Sequence, residues 1–512
     1  MASDSADPLP VSFGKAGKYL WGNIPAFDAL NIAMNEGAAV KDQDLALCFA
    51  ASGDLRNVIK TINGLPSDYT GKCTLVINDF HPLVAIRSIV VLCMLLSSGH
   101  SEEAAAEVAL QLLYSSKLTS AQDSFLQLWI DLLEKMEQKR PPLCTSQLSF
   151  GSHCTLEWAY PSEVGALLAA LRTPAYPTSK AEADRRRIML APERIDYRER
   201  YYASLRSRHR AGFAYQRQTG VLLPIGQPIN SFSTANRLLY SEDGKWLLKD
   251  NASPAAAWSP LEVEAMRKRL NLPQEDYMGN LFFYVKDQLT EFAKRARRFK
   301  MFVFLSAVDL RVLPTFLDLG DMGNLRFDRV ETSNVMDTVG PSAIISAWGP
   351  RLNRFNPSST LIMYSMNWPF YVPGGMAECQ GPNDLMKNFM ELASYLGSRE
   401  GARRAKLPSI SLILNNLGAF FDTRPPFRRF LRLSGVTRAC WSAEVRERKA
   451  PRIMPLRFGV RIEEFDSPKI TISLEQFYFT GQYPDTRSAR VLLTPGEFPQ
   501  VTFSFQLGMS DS

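Results

Sequence analysis

Leu45-Ala46-Leu47-Cys48-Phe49-Ala50-Ala51-Ser52-Gly53-Asp54-Leu55-Arg56-Asn57-Val58-Ile59-Lys60-Thr61-Ile62 is a short apolar run, a turn of small residues and an amphipathic stretch. The spacing predicts a buried strand, a tight loop and a helix, the order that opens a nucleotide-binding α/β unit. In such a unit the loop amides and the helix N-terminus meet an anionic group, which makes Ser52, Gly53, Asp54 and Arg56 candidate ligand residues. One glycine stands where a full fingerprint has three, so a purely conformational role for Gly53 is an equal alternative.

Downstream, Cys73-Thr74-Leu75-Val76-Ile77 predicts a second strand ending at Asn78-Asp79, and an apolar stretch through Leu96 predicts its crossover helix. Asp79 is placed either to take ribose hydroxyls or to satisfy free amides at the start of that helix. Two helices are expected between residues 101 and 140, the second opened by a capping box at Ser120-Ala121-Gln122-Asp123 and turning Phe125, Leu128, Trp129, Leu132 and Leu133 inward. Helical periodicity over 261–298 follows. Phe302–Leu305, Ala343–Ser346 and Leu361–Tyr364 are read as further strands, and Phe458–Ile462, Ile470–Leu474, Val491–Leu493 and Val501–Phe505 as a period-two β unit. The polar cluster from Leu325 through Asp337 to Gly340 sits beyond a strand, which adds Asp328, Ser333, Asn334 and Asp337 to the candidates; a plain turn is the alternative.

Arginine and aromatic residues interleave from Arg185 to Arg217. Arg185, Arg186, Arg187, Arg198, Arg206, Arg208 and Arg210, with Tyr197, Tyr201, Tyr202, Phe213 and Tyr215, suit phosphate contact and base stacking; the alternative is a solvated face paired with Glu193, Asp196 and Glu199. The net charge of +7 on 512 residues is mild and compatible with an anionic partner. Seven scattered cysteines and an acidic, polar start predict reduced thiols and a cytoplasmic protein, and the longest apolar run is too short to span a bilayer. Four histidines without metal-ligand spacing predict no metal site, and no GxSxG or triad spacing signals a hydrolase.

Tyr19-Leu20-Trp21-Gly22-Asn23-Ile24-Pro25-Ala26-Phe27-Asp28, the Gly53-Asp54-x-Arg56 turn with Lys60-Thr61, and Phe327-Asp328-Arg329-Val330 resemble a eukaryotic domain of unknown function. That domain is shared by dynein axonemal assembly factor three and many fungal proteins, some with an added MYND zinc finger, and is regarded as similar to the class I methyltransferase fold. The finger's Cys/His cluster is lacking here. The resemblance implies a Rossmann-like (class I methyltransferase-like) α/β sheet, to which the residue pattern adds helical insertions and a C-terminal antiparallel β unit. The expected organisation is an N-terminal half over 1–140, an arginine-rich helical insertion over 141–298, the rest of the core over 299–450 and a β-rich unit over 451–512.

Within the family, a fungal branch looks like the arginine-containing cyclodipeptide synthases, which join two aminoacyl groups from charged tRNAs in secondary metabolism. That implies an aminoacyl transferase with no required cofactor, and aminoacyl-tRNA as partner rather than membrane or DNA. The arginine-tyrosine segment would hold tRNA, and a carboxylate among Asp54, Asp79, Asp328 and Asp337, all expected at the carboxyl edge of the sheet, would pair a substrate guanidinium. No nucleophile transfers from the family. The rival expectations are an S-adenosylmethionine-dependent methyltransferase using Gly53 and Asp79, and a non-catalytic assembly scaffold. Oligomeric state is not fixed by the sequence.

Overall fold

The computed structural model describes residues 13–14, 19–141, 144–159, 163–375, 424–448, 452–454 and 489–496, with the isolated positions 383, 386 and 390. The predicted strands at 458–462, 470–474 and 501–505 lie outside the described residues.

Eleven strands are described: β1 (Leu45–Phe49), β2 (Lys72–Asn78), β3 (Lys117–Thr119), β4 (Ser146–Phe150), β5 (Cys154–Ala159), β6 (Phe232–Ala235), β7 (Lys300–Ser306), β8 (Arg329–Glu331), β9 (Thr360–Ser365), β10 (Val445–Glu447) and β11 (Ala489–Pro495). Nine form one sheet in the order β10-β11-β9-β8-β1-β2-β7-β5-β4, and β3 pairs with β6 separately. The six strands from β9 to β5 are mutually parallel, whereas β4 and β11 run antiparallel to their neighbours. Counted from β1, the order β7-β2-β1-β8-β9 is the 3-2-1-4-5 of a doubly wound sheet. The last strand, β11, inserts antiparallel between β9 and β10, which gives the sheet its class I methyltransferase-like form.

All five residues of β1 are buried, as expected of a parallel strand covered on both faces. Leu45, Leu47 and Phe49 join the core on one face, Ala46 and Cys48 that on the other. The first face is covered by the helices Arg56–Gly64, Pro82–Leu96, Glu102–Tyr114 and Tyr277–Ala296, the second by Leu313–Asp318, Pro341–Trp348, Arg424–Leu433 and Val436–Ser442. Every residue from Leu83 to Leu96 is buried, so that apolar run is an interior helix. No helix among the described residues is long and apolar enough to cross a membrane.

Three expectations change. Ala343–Ser346 is not a strand but the middle of the helix Pro341–Trp348, since a short apolar run does not distinguish a strand from a buried helix turn. The capping box sits one residue earlier, with Thr119 as N-cap exchanging bonds with Gln122. The inward residues of that helix are Leu126, Ile130 and Leu133, while Leu128 and Leu132 are exposed. The C-terminal antiparallel pair β10-β11 is present, and it extends the main sheet through β9.

Candidate functional site

In a doubly wound sheet the crevice for ligands opens where strand order reverses, at the carboxyl ends. Here the reversal lies between β1 and β8, with β2 on the far side of β1. Ser52, Gly53 and Asp54 follow β1, and Ser333 and Asn334 follow β8, so the structure brings these predicted residues to one place.

The β1 loop is held by the chain itself. Gly53 takes φ +61°, which favours glycine, and its amide donates to Asp79 Oδ2 at 2.9 Å. The other Asp79 oxygen accepts the His81 amide at 2.9 Å, bracing the turn into the helix Pro82–Leu96. Burial pushes the Asp79 carboxyl up, against the lowering pull of those two amides. Asn78 ties three strand ends together, donating to the Ala50 and Val308 carbonyls and accepting from Ser306 Oγ.

Asp54 is buried and receives the Gly22 amide at 2.9 Å, the Arg56 amide at 3.1 Å and the Arg56 guanidinium at 2.6 Å. Arg56 Nε reaches the Ile24 carbonyl at 3.2 Å. Arg87, also buried, donates to the carbonyls of Leu20 and Leu113, and Trp21 Nε1 donates to Leu113 at 2.7 Å. The strip 19–24 is thereby laid across the loop, with the Tyr19 carbonyl 3.5 Å from where a side chain on Gly53 would begin.

At the end of β8 the arrangement differs. Ser333 adopts φ +54°, a strained conformation for a non-glycine residue that clusters at functional sites. Its amide donates to Glu331 Oε1 at 2.8 Å. Its hydroxyl lies 3.0 Å from the Tyr364 hydroxyl and 3.4 Å from Asn334 Oδ1. Tyr364 lies beside the buried Glu331 carboxylate and helps to hold its charge. Burial raises Glu331 to about 7, with the Ser333 amide, Arg56 and Tyr364 pulling it down and Asp54 adding to the rise. The Tyr364 phenol is pushed up by burial and then by the Glu331 charge. The half-buried Ser333 thus touches both neighbours, Tyr364 through its hydroxyl and Glu331 through its amide.

Around these residues, the side-chain amides of Asn23 and Asn334 both point at Met366 Sδ, at 3.6 and 3.5 Å. A thioether is a weak acceptor, and Asn334 also helps to hold the charge of Asp337. Ser52 Oγ is buried without a hydrogen-bond partner. Asp337 accepts from Ser365 Oγ and from the Met366 and Asn367 amides, fixing the turn after β9; burial raises its carboxyl.

Asp328 belongs elsewhere. It precedes β8 and so lies at the amino edge, where it accepts from the Ala46 amide, Asn353 and Asn356, each at 2.9 Å; the expectation of a carboxyl-edge position is corrected. Of the arginine-dense segment, Arg185 is buried, paired with Glu182 and bonded to the Arg217 and Gln218 carbonyls, which removes it from any surface contact. Arg198 donates to the Ala191 carbonyl, and Arg210 to those of Leu205 and Ala203. These guanidinium groups tie helix ends together. Arg186 is exposed, Arg187 is exposed and paired with Asp184, and Arg206 and Arg208 are half-buried.

Sequence reading missed Glu331, Tyr364, Asn23 and Met366. Glu331 carried a signal, an acid closing an otherwise buried strand; Tyr364 read only as strand interior.

Fold and site together define a Rossmann-like α/β protein whose polar side chains converge at the sheet's switch point. Residues 20–118, the stretch with β1, β2 and the helices around them, match the family described as Domain of unknown function (DUF4470). No curated protein and no solved structure matches the chain.

Proposed function

We propose that this protein is an acyl transferase acting on an activated aminoacyl ester, with Ser333 as nucleophile. The observation that carries it is Ser333 in its left-handed turn, with its hydroxyl 3.0 Å from that of Tyr364 and its amide on Glu331. Tyr364 has one proton and gives it to Glu331, so its oxygen accepts from Ser333. Attack of Ser333 Oγ on the ester carbonyl passes the serine proton to Tyr364 and the tyrosine proton to Glu331. Asn23 and Asn334 flank the site as donors for the tetrahedral oxyanion. The ester C–O bond then breaks, the proton returns through Tyr364 to the leaving hydroxyl, and the acyl group rests on Ser333. The amine of a second aminoacyl ester attacks the Ser333 ester and its proton passes to Ser333 Oγ as that C–O bond breaks; the free amine of the resulting dipeptidyl ester then attacks its own ester carbonyl, closing the ring and expelling the second alcohol with the proton the amine gives up.

The family resemblance supports aminoacyl-tRNA as donor and an arginine-containing cyclic dipeptide as product. Asp54 is a poor candidate for a substrate guanidinium, because Arg56 already neutralises it. The methyltransferase alternative has less support: the donors and the acid that would meet S-adenosylmethionine, Gly53 N and Asp79, bind each other, and residues 19–24 lie over the loop.

Mass spectrometry of extracts from a host expressing the chain tests the reading. A new ion for an arginine-containing cyclic dipeptide is expected with wild type and is lost with Ser333→Ala. No new ion from soluble wild-type protein refutes it.

A further inference from the structure

The arginines of residues 185–217 largely serve backbone carbonyls, but a second basic surface does not. In the helix Arg424–Leu433, Phe427, Phe430 and Leu431 face inward while Arg428, Arg429 and Arg432 are exposed. On the next helix, Val436–Ser442, Arg438 and Trp441 are exposed one turn apart, Trp441 to 71%. Among the described residues, none of these four guanidinium groups has a hydrogen bond or ion pair. The acids nearest in sequence are Glu444 and Glu447, and only Arg428 acts on Glu447.

This hairpin borders the Ser333 site on two sides. Phe427 packs on Trp368 at 5.2 Å and Phe430 stacks on Tyr371 at 6.3 Å, directly after the Met366-Asn367 turn that Asp337 holds. Ser342 Oγ donates to the Ser434 carbonyl at 2.7 Å, joining the hairpin to the helix that follows Asp337.

We infer that the exposed face of this hairpin, Arg428, Arg429, Arg432, Arg438 and Trp441, binds RNA and delivers its single-stranded end to the site beside it. Unpaired guanidinium groups grip phosphates bidentately, and an exposed indole between them offers a stacking platform for unpaired bases. The RNA identity rests on the acyl-transfer reading; the position of the surface does not.

The test is anisotropy of a fluorescent deacylated tRNA pool over a salt series, with Ser333→Ala and Arg429→Gln/Arg432→Gln/Arg438→Gln compared with wild type. The expected result is wild-type affinity for Ser333→Ala, and for the triple variant at least tenfold weaker binding with a salt slope smaller by about 2. Unchanged thermal melting of the triple variant shows that the fold is kept, as exposed positions predict. Equal binding by the triple variant and wild type overturns the surface, as does wild-type binding to anionic vesicles but not to tRNA. Charge-dependent tRNA binding without any acyl product overturns the acyl-transfer reading and leaves the surface standing.

Discussion

Ser333 holds a backbone conformation that serine rarely adopts, and the Glu331 carboxylate on its amide is part of what keeps it there. The chemistry at this residue depends on the ionisation of its neighbour. With Glu331 at about 7, acyl transfer rises with pH through that region because only the carboxylate accepts the relayed proton. A pH–rate profile of Glu331→Gln is expected to lose that limb along with most of the rate, and an unchanged profile would remove Glu331 from the relay. Tyr364→Phe keeps the ring and removes the hydroxyl, so a fall of about 10²–10³-fold in kcat with little change in KM is expected. Stability moves the opposite way. Folding raises Glu331 from 4.5, so between 4.5 and about 7 the folded state holds the extra proton and stability falls as pH rises. Denaturant titrations should show this fall in wild type and its absence in Glu331→Gln. At Asp54 the role is structural: Asp54→Ala strands a buried guanidinium and the Gly22 amide, and urea unfolding should report a loss of about 3–5 kcal/mol.

At the scale of elements, β1, β2 and their loops were legible because a fully apolar strand followed by small residues leaves few alternatives. The arginine-dense helices were not legible in the same way. Charge and spacing do not say whether a guanidinium faces water or a neighbouring helix end, and Arg185 and Arg186 sit side by side in sequence with opposite fates. Their difference is measurable. Arg185→Ala removes the cation paired with the half-buried Glu182 and leaves two carbonyls without their donor, and should cost about 3 kcal/mol, whereas removing the exposed Arg187 should cost less than about 1 kcal/mol. Equal losses in chemical denaturation would contradict this division. The site was half legible for a related reason. Ser333 and Asn334 were recognisable as strand-end residues, but Tyr364 belongs to a strand distant in sequence, and only the pairing of β8 with β9 sets it beside Ser333.

Over the whole molecule, one sheet draws its strands from segments far apart in sequence. β4 and β5 from the helical insertion extend one side of the sheet, and β10 and β11 extend the other. Leu493 is buried in β11, so Leu493→Asp is expected to lower the main thermal transition; a separate minor transition moving alone would mark the C-terminal strands as an independent unit. The same continuity links the switch point, the turn after β9 and the arginine hairpin on one edge of the sheet. The most direct test of the central claim is intact-protein and peptide mass spectrometry after incubation with arginyl-charged tRNA. An arginyl ester is expected on the peptide containing Ser333, present in wild type, trapped at higher yield without a second aminoacyl donor and absent in Ser333→Ala. An acyl group on another residue, or an unmodified wild-type chain that still forms product, would contradict it.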